Sequence, residues 1–424
     1  MKTSRYSRPG LVLVTIVLLA GHGHGYGHGN GYGYGYGQAV LDIPGRSDAT
    51  PWVAARGAFV AVAWGATNSG KTDVFAAVSR DGGATFAAPV RVNTVEGEAR
   101  LGGELPPRVA IVNRRGASQP EVVVVWTARA KTTTIKMARS RDGGATFAAP
   151  VALQAANAPG DRGWAALAVD PRGTAHAIWL DHRGLAGGTG HTPGATHDGV
   201  AMAQKSALFY ASAKGEHSIA NGVCYCCKTA LAAGADGTLY AAWRHVYAGN
   251  HRDMAFSLSR DGGKTFSAPV RISDDGWEIN GCPDDGPALA TDGGTTVHVV
   301  WPTVVGGTTP EGAIFYASTR DGRAFTPRLR IPTLGGAKPS HPQIAIDRGG
   351  RTFVAWDETV NGRRVAAMRE LRRTGDRITF GDPIVISANG PGSYPVLTAT
   401  DGGVLAVWTT GGETSRIETR ILTP

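Results

Sequence analysis

The cysteines are the residues whose type and spacing point most directly to chemistry. The sequence has only four of them in 424 residues, and three lie in the short segment VCYCCKT. Thiolates grouped in this way are preferred ligands of Cu(I) and Zn(II), which bind sulfur and nitrogen donors. We therefore expect a metal site, with copper as the first expectation and zinc as the alternative. Its cysteine ligands would be Cys224, Cys226, Cys227 and Cys282.

Histidines and aspartates could complete this site. The chain is predicted to form a β-propeller, which brings them to the same face as the cysteines. Asp284 and Asp285, which follow Cys282 closely, could accept hydrogen bonds from ligand imidazoles. Further histidines of that face are His191, His197 and His251. The expected imidazole ligands are His182, His245 and His341.

Disulfides are the main alternative to a metal site. An exported chain with an even number of cysteines commonly forms them, and Cys224 or Cys227 could be joined to Cys282. Cys226 and Cys227 are adjacent, so in a strand they would point to opposite faces, which makes two bridges awkward. A metal or redox site, structural disulfides and free thiols all remain open at this point.

The elements that must position these residues follow from an internal repeat. A unit of the form P-x-x-A-x-D-x-x-G-x-x-x-V-x-W recurs seven times. Each copy contains two apolar runs of strand length around a Gly-containing turn, then a third and a fourth strand, which is the pattern of a β-propeller blade. The repeats end at Trp64, Trp126, Trp179, Trp243, Trp301, Trp356 and Trp408.

The predicted fold class is therefore all-β, a seven-bladed β-propeller with four-stranded blades. Only one strand-like run follows Trp408, and QAVLDI at residues 38–43 matches the fourth-strand pattern of the other blades. We expect this N-terminal strand to complete the last blade and close the ring, because closure pairs edges that would otherwise be exposed.

The N-terminus predicts export. Residues 1–20 have the charged start, apolar run and small final residue of a secretory signal peptide, and the apolar run is too short to span a membrane. Residues 21–37 form a Gly, His and Tyr repeat that reads as a flexible segment, although His22, His24 and His28 could bind a metal. Residues 38–424 form the propeller domain, which we expect in the periplasm or outside the cell, as a monomer with no integral membrane segment after signal cleavage.

Composition excludes several other classes. With 60 Gly and 24 Pro, turns are too frequent for a helical bundle, and four cysteines are too few for a disulfide-built scaffold. The formal charge of +9 is spread along the chain, so we expect no nucleic-acid partner. The expected partner is a small molecule or a glycan at the mouth of the propeller.

A second repeat lies between the third and fourth strands. SRDGGATF occurs at residues 79–86 and 140–147, SRDGGKTF at residues 259–266, and a degraded TRDGRAF at residues 319–325. These segments resemble the Asp box of the sialidase-type, or BNR-repeat, β-propeller superfamily. The resemblance covers the whole mature chain and implies the fold, but Asp boxes occur in sialidases and in many other proteins. By contrast, GATNSGKT at residues 65–72 matches a phosphate-binding loop only by chance, because a strand follows it where that loop needs a helix.

Sialidase chemistry is what the resemblance would imply for activity: a Tyr nucleophile assisted by a Glu, an Asp that protonates the leaving oxygen, and three Arg that bind the substrate carboxylate. GSYPVL at residues 392–397 is similar to the Tyr-bearing strand of that family, whereas the family's F/Y-R-I-P signature is missing. Seven blades also depart from the six of typical sialidases. Arg108, Arg162 and Arg244 could reach the rim. The candidate catalytic residues are Tyr394, Asp284 and Asp285.

Two classes of function remain open on the sequence. The first expectation is a metal-dependent oxidoreductase or metal-binding protein with a Cys and His site at the mouth. The alternative is a sialidase-like glycoside hydrolase or a glycan-binding propeller.

Overall fold

Seven antiparallel sheets make up the computed structural model, which describes residues 38–114, 116–154, 159–185, 199–212, 215–279, 281, 283–306, 308–375, 377–412 and 414–422. The expected signal peptide and the Gly, His and Tyr segment lie outside these residues.

Blades 1 to 3 follow one another along the chain. Blade 1 contains β2 (Ser47–Arg56), β3 (Phe59–Asn68), β4 (Lys71–Ser79) and β5 (Val90–Arg91). Blade 2 contains β6 (Arg108–Val112), β7 (Glu121–Ala128), β8 (Thr134–Ser140) and β9 (Val151–Ala152). Blade 3 contains β10 (Arg162–Val169), β11 (Ala175–Asp181), β12 (Ala207–Ser212) and β13 (Gly215–Asn221).

Blades 4 to 7 continue the same order. Blade 4 contains β14 (Ala230–Ala233), β15 (Leu239–Arg244), β16 (Met254–Ser259) and β17 (Val270–Arg271). Blade 5 contains β18 (Ala288–Thr291), β19 (Val297–Val305), β20 (Glu311–Thr319) and β21 (Leu329–Arg330). Blade 6 contains β22 (Ala337–Ile346), β23 (Thr352–Val360), β24 (Arg363–Thr374), β25 (Arg377–Phe380) and β26 (Ile384–Val385). Blade 7 contains β27 (Gly392–Thr400), β28 (Gly403–Gly411), β29 (Ser415–Leu422) and β1 (Gln38–Leu41).

The ring is closed as the repeat predicts. Each first strand contacts the first strands of the two neighbouring blades, in the order β2, β6, β10, β14, β18, β22, β27 and back to β2. In blade 7 the N-terminal β1 pairs with β29, with Ala39 opposite Thr419 and Leu41 opposite Ile417. The seven-bladed all-β architecture and the closing N-terminal strand are therefore confirmed.

The core lies between the blades. The seven repeat tryptophans, on the second strand of each blade, are all 0 to 1% exposed. The second strands are buried on both faces. Their sequences are therefore runs of apolar residues, as in Glu121–Ala128 (EVVVVWTA), and apolar residues do not alternate with polar ones. The side chain of each repeat tryptophan thus packs between neighbouring sheets.

The SRDGG turns join the third and fourth strands through a shared hydrogen-bond pattern. In blade 1, Asp81 accepts hydrogen bonds from the Thr85 amide at 2.9 Å and from the Ser79 hydroxyl at 2.6 Å. Asp142 and Asp261 accept the same bonds in blades 2 and 4. These bonds hold the pKa of Asp142 at about 2 and lower that of Asp261.

Residues 65–72 form a β-hairpin and not a phosphate-binding loop. They include the end of β3, a turn at Ser69 and Gly70 with positive φ, and the start of β4. Helical structure in the described residues consists of α1 (Gly199–Lys205) and a 3-10 turn at Ala248–Asn250. Neither is of a length or hydrophobicity that would let it cross a membrane.

Candidate functional site

The first strands begin around the propeller axis, and several begin with an unusual backbone conformation. Thr50, Trp164, His341 and Tyr394 occupy equivalent positions and all have φ between 53° and 55°. A shift of register in the first strand accompanies each of them. Bulges of this kind redirect a side chain, and strained residues that are not glycine cluster at functional sites. The repeat position that faces the axis is therefore locally strained in four blades.

A group of charged and polar side chains from five blades meets at this axis, and we call it the axial cluster. Its members belong to segments as distant as residues 104 and 228, which can meet only where the first strands converge. The cluster consists of Glu104, Lys228, Asp285, His341, Asp357 and Tyr394.

His341 is held between two carboxylates. Its backbone N–H donates to both carboxylate oxygens of Asp285 at 3.1 Å, and its Nδ1 lies 2.9 Å from Oδ1 of Asp357. Asp357 is fully buried and also accepts from the Tyr394 amide and from Arg364. Asp357 thus fixes the positions of both His341 and Tyr394.

Lys228 forms the second half of the cluster. Its Nζ lies 3.1 Å from Oε1 of Glu104 and 3.6 Å from Oδ1 of Asp285, and its backbone N–H donates to Glu104 at 2.9 Å. Both members of the Lys228–Glu104 pair are buried, so each needs the other to offset its desolvation. Oxygens of Glu104 and Asp285 and a ring nitrogen of His341 all lie within 4.8 Å of one another.

Tyr394 packs against the same group. Its ring centroid lies 4.3 Å from that of His341. A methyl group at Gly103 would fall 2.4 Å from the Tyr394 hydroxyl oxygen, so glycine is required beside this phenol. Tyr394, Glu104 and Lys228 line one narrow cavity together with Trp52 and Gln343.

Burial and neighbouring charges set the protonation behaviour of the cluster. Burial raises the pKa of the Asp285 carboxyl. Burial alone would lower the pKa of His341, but Asp357 and Asp285 outweigh it and raise that pKa. Burial, followed by the charges of Asp357 and Glu104, raises the pKa of the Tyr394 phenol.

Of the residues expected from the sequence, Tyr394, Asp285 and His341 come together here, whereas Asp284 is exposed beside them. Glu104, Lys228 and Asp357 were missed. Two of them had a positional signal: Lys228 occupies the repeat position of His341 and Tyr394, and Asp357 directly follows a repeat tryptophan, whereas Glu104 had none.

The three arginines expected at the rim do not form one anion-binding group. Arg108 stacks on Trp52 with its guanidinium carbon 3.6 Å from the ring centroid, and Arg162 pairs with Asp181 at 3.1 Å. Arg244 donates to backbone carbonyls, including that of Asp285 at 2.8 Å. All three are buried in structural contacts.

The cysteines form a separate buried cluster in the turn that leads into blade 4. The Cys224 sulfur lies 3.8 Å from that of Cys226 and 3.7 Å from that of Cys227. Cys224 and Cys227 are free thiols, whereas Cys226 is disulfide-bonded. Because the chain turns here, Cys226 and Cys227 do not point apart as they would in a strand.

The expected imidazole ligands do not join the sulfurs. His182 packs against Trp164 and Tyr225, and His245 packs against Tyr247 with centroids 4.6 Å apart. Burial lowers the pKa of both to about 4, so both are neutral at pH 7. His341 belongs to the axial cluster. Cys282, His191 and His197 lie outside the described residues.

Comparisons with solved structures agree with this fold. The chain is similar to a protein of unknown function from Dyadobacter fermentans, at 15% identity and TM-score 0.51 over 91% of this chain and 97% of that one. It is also similar to Penicillium chrysogenum alpha-L-arabinanase, at 15% identity and TM-score 0.51 over 90% and 94%. A third similar structure is the Hadza microbial sialidase Hz136, at 15% identity and TM-score 0.50 over 84% and 74%.

At these identities the similarity shows the fold alone, which is that of a β-propeller. No protein-family model matches the sequence, and no curated protein matches it either.

Proposed function

We propose that this protein is a glycoside hydrolase that cleaves a terminal sugar at the axial cluster. A single observation carries this function: Glu104 and Asp285, two buried carboxyl groups from different blades, approach within 4.8 Å beside Tyr394. Two carboxyl groups at such a distance can act on one glycosidic bond, one as acid and the other as base. Solved sialidase and arabinanase propellers with the same fold add support.

The environments of the two carboxyl groups assign their roles. Asp285, whose pKa burial raises, is the proton donor to the leaving oxygen. Glu104, paired with Lys228, takes the proton of Tyr394 as the phenol oxygen bonds to the anomeric carbon. Water then cleaves this bond by the reverse proton transfers, which returns Tyr394 and Asp285 to their starting states.

The cavity beside the axial cluster has a volume of about 10 Å³, so a sugar ring can enter only if the side chains that line it move apart. The expected signal peptide would bring such an enzyme to glycans outside the cytoplasm. A metal-dependent oxidoreductase has weaker support, because Cys226 is disulfide-bonded and no histidine of the described residues groups with the sulfurs.

Fluorogenic glycosides test this function. The purified protein is expected to release 4-methylumbelliferone from an α-sialoside or an α-L-arabinofuranoside. Removing the acid in Asp285→Asn, or the hydroxyl in Tyr394→Phe, should lower kcat/KM by about 10²-fold or more. Asp401→Asn, an exposed carboxylate at the far turn of blade 7, should leave the rate unchanged. Equal rates in all four proteins, or no release across a broad panel of glycosides, would contradict the assignment.

A further inference from the structure

Two buried arginines lie beside the cysteine cluster: the Arg252 guanidinium contacts the Cys224 sulfur, and the Arg244 backbone carbonyl accepts from the Cys224 amide. The side chains of Arg244 and Arg252 are 1% and 0% exposed. In the described ranges of the chain, their hydrogen-bond acceptors are backbone carbonyls, the Asn250 amide oxygen and the Cys224 sulfur, and none is a carboxylate. Buried charges are costly unless they are paired, so two unbalanced guanidinium groups call for a nearby anion.

Sulfur is the group placed to supply that negative charge. Nη1 of Arg252 lies 3.6 Å from the sulfur of Cys224, and the Cys227 sulfur lies 3.7 Å from the same atom. The Arg252 guanidinium is therefore placed to balance negative charge on this sulfur.

The spacing of the sulfurs also fits a metal ion. An ion bound to two sulfurs at about 2.3 Å each, with those sulfurs 3.7 Å apart, makes an S–metal–S angle of about 107°. That angle belongs to a three- or four-coordinate ion and not to a linear two-coordinate one. The sulfur of Cys226 lies 3.8 Å from that of Cys224, and all three sulfurs lie within 4.8 Å of one another.

We propose that the reduced protein binds one Cu(I) ion through the sulfurs of Cys224, Cys226 and Cys227. Three thiolates and one monovalent copper carry a charge of −2, which the guanidinium groups of Arg244 and Arg252 neutralise. Zn(II) with the same ligands would carry −1 and leave one buried positive charge unbalanced. The charge balance therefore selects the monovalent ion.

Binding requires the disulfide of Cys226 to be opened first. Two electrons from a thiol reductant convert this disulfide into the thiol of Cys226 and the thiol of its partner cysteine, which keeps its proton, and the reductant leaves as its own disulfide. Cu(I) then displaces the protons of the three thiols as it binds. The oxidised protein lacks the third thiolate and should hold copper at least 100-fold more weakly.

Anaerobic competition with a chromogenic Cu(I) chelator tests this site. The background is the full chain with His22, His24 and His28 replaced by Ala, so that the histidine segment cannot contribute. After reduction, we expect one Cu(I) per chain and an X-ray absorption spectrum with only sulfur neighbours at about 2.3 Å. Cys224→Ser and Cys227→Ser should each weaken binding at least 100-fold.

Matched controls separate binding from folding. Val223→Thr places a hydroxyl in the same buried turn but keeps every sulfur, so copper affinity should not change. Arg252→Gln keeps the sulfurs and removes one positive charge, so affinity should fall about tenfold. Thermal unfolding of the metal-free variants shows whether each one folds.

Several results would overturn the site. These are nitrogen or oxygen neighbours around copper, equal affinity in the reduced and oxidised protein, unchanged affinity in both Cys→Ser variants, or tighter binding of Zn(II) than of Cu(I) in the reduced protein. None of them bears on glycoside hydrolysis, because the axial cluster contains none of these cysteines.

Discussion

His341 stands between two acidic residues of the axial cluster, Asp285 and Asp357. Its pKa is raised, so it binds its proton more tightly in the folded protein than in the unfolded chain. The stabilisation is complete below the ordinary histidine pKa of about 6.5 and is lost as pH rises through the raised folded pKa. His341 is thus a source of stability at acidic and neutral pH.

His341→Gln is therefore expected to cost more stability at pH 6 than at pH 9. Urea unfolding at the two pH values measures the difference between wild type and variant. His251→Gln is the comparison, since His251 also has acidic neighbours, Glu278, Asp253 and Asp274, but its side chain is 32% exposed, so solvent screens their charges. An equal loss for His341→Gln at both pH values would show that its charge does not contribute.

At the scale of the element, the SRDGG turns show how two adjacent glycines differ. In blade 4, Gly262 and Gly263 both have positive φ, at 70° and 83°. A Cβ at Gly262 would meet nothing within 4 Å, whereas a Cβ at Gly263 would fall 1.9 Å from the Tyr210 hydroxyl oxygen in the neighbouring blade. Only Gly263 is required by packing between blades as well as by backbone conformation.

We expect Gly262→Ala to lower the free energy of unfolding by about 1–2 kcal/mol, the cost of left-handed backbone for a residue with a Cβ. Gly263→Ala should lose about 1–3 kcal/mol more, because Tyr210 must move. Chemical denaturation of both variants under one condition gives the comparison. Equal losses would mean that Tyr210 relaxes without cost.

At the scale of the whole molecule, closure depends on a short N-terminal strand. Leu41 in β1 is 4% exposed and packs with residues of blades 1 and 7, whereas its neighbour Val40 is 46% exposed. The two positions therefore differ in burial within the same strand.

Leu41→Ala should destabilise the ring by about 2–4 kcal/mol, because it removes buried apolar volume at the closing strand. Val40→Ala should change stability by less than about 0.5 kcal/mol. Thermal unfolding of the two variants measures this. A small effect of Leu41→Ala would mean that the ring does not depend on packing at its closing strand.

Periodicity along the chain was sufficient to predict the architecture. The seven repeat tryptophans and the SRDGG turns recur because equivalent residues make equivalent packing contacts in successive blades. The number of blades, the order of the strands and the closing strand could therefore all be inferred from residue spacing. Tyr394 was found because GSYPVL is similar to the Tyr-bearing strand of sialidases, Asp285 because it follows Cys282 closely, and His341 because the predicted fold brings it to the face of the cysteines.

Only the tertiary structure decided which charged side chains share the axis. Glu104 and Lys228 are 124 positions apart and carry no local motif, and their pairing depends on how the first strands converge. The cysteine motif indicated sulfur chemistry, but the free thiols of Cys224 and Cys227, the disulfide of Cys226 and the two buried arginines depend on the turn that folds around them. The spacing of residues in the sequence shows the features that repeat in every blade. The burial and charge balance of the axial residues and of the cysteines depend on contacts between different blades, which only the tertiary structure determines.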